Sequence, residues 1–308
     1  MSDKQAALRV VVGGASGLIG TALTASLRNR GDRVLPLVRH APRTGTGEIP
    51  WDPATAELQG PALEGTDAVI HLGGVNIASG RWSKKTKAAI RDSRLESTRL
   101  LSATLARLEK PPRTFICASA TGYYGNRGAE LLTEDSPPGD GFLPDLCRAW
   151  EAATEPARHA GIRVVNLRTG IVLSARGGAL ARMLPAFKAG GGGVLGSGRQ
   201  YMSWITLDDA VRVIEFALKT ESLAGPVNVV APNPVTNREY TRTLGRVLKR
   251  PTFLPLPAFA IRVLFGEMGR VLLLEGQRVH PARLEQAGFS FHHVHLEDAL
   301  RHELARPR

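Results

Sequence analysis

The stretch GGASGLIG at 13–20 sits directly after the apolar run LRVVV and directly before an amphipathic segment that reads as a helix from about Leu18 to Asn29. No other feature narrows the fold so far, because a buried strand, a glycine turn and a helix in that order open a dinucleotide-binding βαβ unit. Gly14 permits the tight turn, Gly17 lets a pyrophosphate come close to the backbone, and Gly20 lets the helix pack against the strand. The N–H groups that open the helix, across Ser16, Gly17, Leu18, Ile19 and Gly20, lack partners inside it and carry the positive end of its dipole. These residues are expected to hold the phosphates.

Strand-like and helix-like segments alternate beyond this point, which predicts a parallel sheet covered by helices. After LRVVV come RVLPLV at 33–38, DAVIHL at 67–72, RTFICAS at 113–119 and RVVNLR at 163–168. Pro36 removes a ladder donor, so the second strand is expected to be short or irregular. IPWDPATAEL at 49–58 reads either as the border of an adenine pocket, through Trp51 and Asp52, or as a simple turn preceded by a packed Trp. The strongest helical pattern lies at 81–110. Thr206 with Asp209 three residues on resembles a capping box, and GPVNVVAP at 225–232 reads as a strand returning to the main sheet. The expected fold is therefore α/β, a Rossmann-type doubly wound parallel sheet with a smaller, mostly helical C-terminal substrate lobe. The NAD(P)-binding domain is placed at 1–175 and the lobe at 176–308.

A cofactor without a 2′-phosphate is held by an Asp or Glu about 20 residues after the glycines. Here Arg39 ends the second strand, with Arg43 nearby, and a guanidinium favours the 2′-phosphate of NADP or NADPH. The net charge of +12 is spread along the chain without a nucleic-acid-binding motif, so an arginine-rich surface with one anion site is expected rather than a nucleic-acid partner. No apolar run reaches the roughly 20 residues of a bilayer span, and no leader-like segment precedes the first strand. Cys117 and Cys147 are too few for a disulfide framework, which agrees with a reducing, cytoplasmic setting. HHVH at 292–295 reads as a polar strand or loop, with no metal ligand set.

Six motifs then carry a resemblance. GGASGLIG, IHLGGVNIASGRW, SATGYYG, LRTGIVL, GSGRQYMSWI and GQRVHPARLEQAGF together resemble an atypical, NADP-dependent, nucleotide-sugar epimerase-like family of short-chain dehydrogenase/reductases, with a distinctive C-terminal segment at about 253–304. The resemblance implies that Gly73 and Gly74 meet the cofactor ribose, with Asn76 beside them facing substrate, and that Thr169 and Gly170 line the nicotinamide. Arg168, Arg199 and Gln200 are its candidates for a substrate anion, although relatives carry their diphosphate-binding Arg at the position of Met202.

In extended members of that superfamily a Ser follows the fifth strand, and a Tyr and a Lys four residues apart sit on the next helix. Ser119 matches the first position. Glu151 resembles the Glu that follows the Lys by four, which puts the Lys position on Cys147 and the Tyr position on Leu143. The pair is absent. Tyr123 or Tyr124, on the loop after Ser119, is expected to provide the proton path with that serine. The function that the resemblance implies is an epimerase-like oxidoreductase acting by hydride transfer at a carbonyl or alcohol carbon of an unidentified small substrate, sugar-nucleotide-like where it follows the family. The alternative is a non-catalytic NADP(H)-binding sensor or partner-binding protein.

Overall fold

The computed structural model describes residues 7–305. In chain order the elements that build the site are β1 (Arg9–Gly13), α1 (Leu18–Asn29), β2 (Arg33–Val38), β3 (Ile49–Asp52), β4 (Glu57–Leu58) and β5 (Ala68–His71). They continue with α2 (Lys84–Leu105), β6 (Thr114–Ala120), α3 (Phe142–Ala152), β7 (Arg163–Thr169), α4 (Leu207–Lys219) and β8 (Gly225–Val229). The strands form one sheet in the order β8-β7-β6-β5-β1-β2-β3-β4, parallel throughout except for the terminal β3-β4 hairpin.

Both faces of this sheet are covered, which is why its strands are continuous apolar runs rather than alternating ones. Val10 and Val12 of β1 pack with Leu23 and Leu27 of α1 and with Val213 and Ile214 of α4. Val11, between them, points to the other face, where Ile90 and Leu101 of α2 and Leu146 and Trp150 of α3 close the core. The chain runs outward from β1 to β2 and β3, then crosses back to lay β5 on the other side of β1. At that reversal the chain leaves β1 and β5 for helices on opposite faces, α1 and α2, leaving a crevice at the carboxyl ends of the strands.

One local expectation is corrected. β2 is a regular six-residue strand with Pro36 opposite Val12. Its outer neighbour β3 reaches only Leu37 and Val38, so the sheet has an open flank at Pro36 where a missing amide breaks no ladder bond. In IPWDPATAEL a packed Trp does precede a turn: Trp51 is buried in β3, and the turn follows it, where Asp52 Oδ1 accepts from Ala54 N at 2.9 Å.

Ser83 caps α2 by accepting from Thr86 N, and Thr206 caps α4 by accepting from Asp209 N at 3.1 Å. The C-terminal region is mostly helical, with helices Asn237–Leu248, Ala258–Gly269, Ala282–Gln286 and Leu296–Ala305. It is sewn back onto the sheet domain by a short parallel pairing of Leu131–Leu132 with Arg278–Val279. No helix among the described residues is long and apolar enough to cross a membrane.

Candidate functional site

The glycines after β1 have separate jobs. Gly14 has φ of +78°, and a Cβ there would lie 2.7 Å from Gly73 N, so only glycine lets the loops after β1 and β5 touch. A Cβ on Gly20 would lie 2.1 Å from Gly14 O, so this glycine sets how closely α1 approaches the strand. Gly17 is different: a Cβ there meets nothing of the protein nearer than 3.4 Å. Its bareness serves the open side. Gly17 is also the N-cap of α1 and offers no side chain to the helix's first N–H groups, and no acidic residue stands in the first turn. Ser16 and Gly17 are exposed, Leu18 and Ile19 half-buried.

A cleft of about 1520 Å³ runs from this turn to the end of β2. Arg39 is exposed at the strand's end, and Arg28, from the last turn of α1, lines the same wall. Arg28 was not singled out in the sequence, although Thr21, Thr24 and Arg28 stand at helical spacing on one face of α1. Arg43 also borders the cleft but is engaged: it hydrogen-bonds Glu48 and pulls that carboxyl down to about 2. Trp51 presents its edge to the His71 ring at 5.6 Å between centroids, and both line the cleft. Burial, reinforced by Arg94, pushes His71 down to about 4, so a neutral imidazole shares a 2.8 Å hydrogen bond with Ser97 Oγ.

At the other end, beyond the loop Gly73–Gly74, a small pocket of about 140 Å³ is lined by Ile19, Leu72, Ser119 and Thr169 among others. Ser119 Oγ donates to Glu151 Oε1 at 2.7 Å. Arg168 clamps the same carboxylate with two bonds of 2.9 Å and donates also to Tyr124 Oη and Glu134 O. Tyr124 Oη in turn donates to Asn228 Oδ1 at 2.7 Å.

Three assignments are corrected, the first two by that network. Arg168, 3% exposed, is spent on the wall of the site and is not offered to a substrate anion. Tyr124 is fully buried, and burial pushes its phenol up to about 12, so it is a structural hydrogen bonder rather than a proton donor. Gln200 uses its amide to tie Leu195 O to Leu273 O. Gly170 is bare for a structural reason as well, since a Cβ would lie 2.4 Å from Ser203 O. Asn76 Oδ1 accepts from Ala78 N within its own turn, and the Arg199 side chain is exposed.

Tyr123 is half-buried, and its ring lies 3.4 Å from the Arg168 guanidinium carbon. Leu143 and Cys147 face Gly122, next to this tyrosine. Burial raises the Cys147 thiol to about 12, which keeps it protonated and inert near neutral pH. HHVH supplies backbone rather than rings to its main contact: His292 N and His293 N donate to the Asp209 carboxylate.

Comparison with known proteins agrees with this architecture. The NAD dependent epimerase/dehydratase family matches residues 10–231, and a domain of unknown function (DUF1731) matches residues 256–303. The epimerase family protein Mb2239 of Mycobacterium bovis is 50% identical over 97% of this chain and 98% of its own length. The crystal structure of human epimerase family protein SDR39U1 (isoform2) with NADPH superposes with a TM-score of 0.90 at 36% identity, covering 97% of this chain and 100% of that one. A nucleoside-diphosphate sugar epimerase from Corynebacterium glutamicum superposes with a TM-score of 0.79 at 37% identity, over 97% of this chain and 58% of that one. With a family match over most of its length and full-length relatives at this identity, the chain belongs to the NAD-dependent epimerase/dehydratase family.

Proposed function

We propose that the chain binds NADP(H) and acts as an epimerase-like oxidoreductase on a carbonyl or alcohol carbon of a small substrate. The observation that carries this is the pair Arg28 and Arg39 at the far end of the cleft, where a carboxylate for a 2′-hydroxyl would otherwise stand. The NADPH in the human relative's structure supports the same choice. The bare Gly17 and the uncapped helix start fit a pyrophosphate. When bound, the dinucleotide supplies the hydride chemistry, while the protein orients, excludes water and moves a proton.

For the proton, Ser119 already donates its hydrogen to Glu151, so its remaining lone pairs are free to accept from a substrate hydroxyl. Tyr123 is the phenol left over once Tyr124 is assigned to the wall, and its hydroxyl makes no hydrogen bond among the described residues. A second reading, NADP(H) binding without turnover, is favoured by one specific fact: the positions that resemble those of the catalytic Tyr and Lys hold Leu143 and a protonated, buried Cys147. Hydride exchange between labelled NADPH and a metabolite extract separates the two, because only the oxidoreductase transfers label.

The cofactor itself is tested by titrating NADPH and NADH against intrinsic fluorescence. Arg39→Ala should weaken NADPH by about 10- to 100-fold, the equivalent of a charge-assisted hydrogen bond of about 1.5–3 kcal/mol, and leave NADH unchanged. Equal affinity of the unaltered protein for both dinucleotides would remove the 2′-phosphate assignment.

A further inference from the structure

Arg94 is an arginine without an acid. It projects from α2 beneath the loop after β5, half-buried, and its guanidinium carbon lies 5.0 Å from the centre of the Trp150 ring. Among the described residues it makes one hydrogen bond, to Ile90 O at 2.9 Å, and no ion pair. Two other arginines withdrawn from solvent are better satisfied. Arg168 has two carboxylate bonds, and Arg163 reaches four backbone carbonyls and Thr114. A guanidinium has five N–H donors, and those of Arg94 that no protein group meets are not sealed from solvent, so a ligand can take them.

Its neighbours say which ligand. A Cβ on Gly74 would lie 3.0 Å from the Arg94 guanidinium carbon, so this cleft-lining glycine is what lets the charge come up against the backbone of the loop. On its other side Arg94 acts electrostatically on His71 and on Cys147, the residue that stands at the lysine position of α3. A dinucleotide with its adenosine at Arg28 and Arg39 and its pyrophosphate at Gly17 must lay its second ribose past Gly73–Gly74, toward Ser119. The groups that such a ribose offers are vicinal hydroxyls, which are acceptors for guanidinium donors.

We infer that Arg94 is a cofactor-positioning residue that holds the ribose next to the nicotinamide from α2, supplying the cation that α3 lacks. This rests on the NADP(H) assignment above. It also explains how the helix FLPDLCRAWE keeps its place at the site while carrying neither a Tyr nor a Lys: Trp150 of that helix is the platform on which the replacement cation rests.

The test compares two ligands in binding assays, NADPH and adenosine 2′,5′-bisphosphate, which has the phosphorylated adenosine end but no second ribose. Arg94→Met should weaken NADPH by about tenfold or more and leave the bisphosphate unchanged, whereas Arg94→Lys should recover part of the NADPH affinity. Arg39→Ala, by contrast, should weaken both ligands. If Arg94→Met weakens both ligands equally, or neither, or if Arg94→Lys recovers nothing, the inference is overturned. If the unaltered protein binds neither ligand, the cofactor assignment itself fails, and that result is distinguishable from the others.

Discussion

Tyr123 and Tyr124 are adjacent in sequence and opposite in consequence. Tyr124 is inside, with Arg168 donating to its hydroxyl at 3.0 Å and Asn228 accepting from it at 2.7 Å, whereas the Tyr123 hydroxyl is unengaged among the described residues. Tyr124→Phe leaves a buried guanidinium N–H and a buried amide oxygen without partners, and should cost about 1–3 kcal/mol in urea unfolding. Tyr123→Phe should change stability by no more than about 0.5 kcal/mol while removing the proposed proton donor. Equal losses for the two variants would contradict this division. The sequence placed both tyrosines beside Ser119 but gave no means of ranking them. The partner that decides between them, Asn228, lies 104 residues further on and belongs to the edge strand. The role of Arg168 was hidden although its carboxylate partner Glu151 is only 17 residues away, because the two stand on different elements, β7 and α3, that only the folded sheet brings together.

At the level of elements, the opening β1-turn-α1 unit was legible because its constraints are local. A buried strand, a glycine turn and an apolar helical face fall within one short segment, and the helix runs from Leu18 to Asn29 as read. β2 was placed at the right residues, but its regularity and the pairing of β3 were not legible for a non-local reason, since whether Pro36 is tolerated and whether IPWD pairs both depend on which strand lies alongside. Glycine substitutions separate what the turn does for the fold from what it does for a ligand. Gly20→Ala drives a methyl into Gly14 O and should lower stability by about 1–3 kcal/mol, the usual cost of overpacking. Gly17→Ala makes only an ordinary 3.4 Å contact with Gly14 O at a φ of −75°, so the melting temperature should hardly move. NADPH affinity should nevertheless fall by roughly tenfold, about 1.4 kcal/mol, because the methyl stands where phosphate is to approach. A Gly17→Ala variant with unchanged NADPH affinity would place the pyrophosphate elsewhere.

Across the whole molecule, the C-terminal region is built into the sheet domain rather than appended to it. Ser203 Oγ donates to Gln277 O and accepts from Val279 N, Asn228 Nδ2 donates to His280 O, and Arg283 pairs with Asp135. The tie with the most at stake is Asp209. It is fully buried in the first turn of α4, and its carboxylate accepts from His292 N, His293 N and Arg212 Nη1. Half of this was visible in the sequence as the Thr206–Asp209 cap spacing; the other half joins segments 83 and 84 residues apart. Removing the carboxylate strands two backbone donors and releases a partly exposed guanidinium, so Asp209→Ala should cost on the order of 2–4 kcal/mol, mainly from the two unmet amides. Asp209→Asn, which keeps one acceptor oxygen, should cost less. Because the lost bonds anchor the chain at 292–293, limited proteolysis of the alanine variant should cut first near that segment, ahead of the sheet domain. An unaltered urea midpoint, or first cleavage in the sheet domain, would mean that the C-terminal helices are held by their apolar contacts alone, through Leu296, Ala299 and Leu300 against Tyr240 and Leu244.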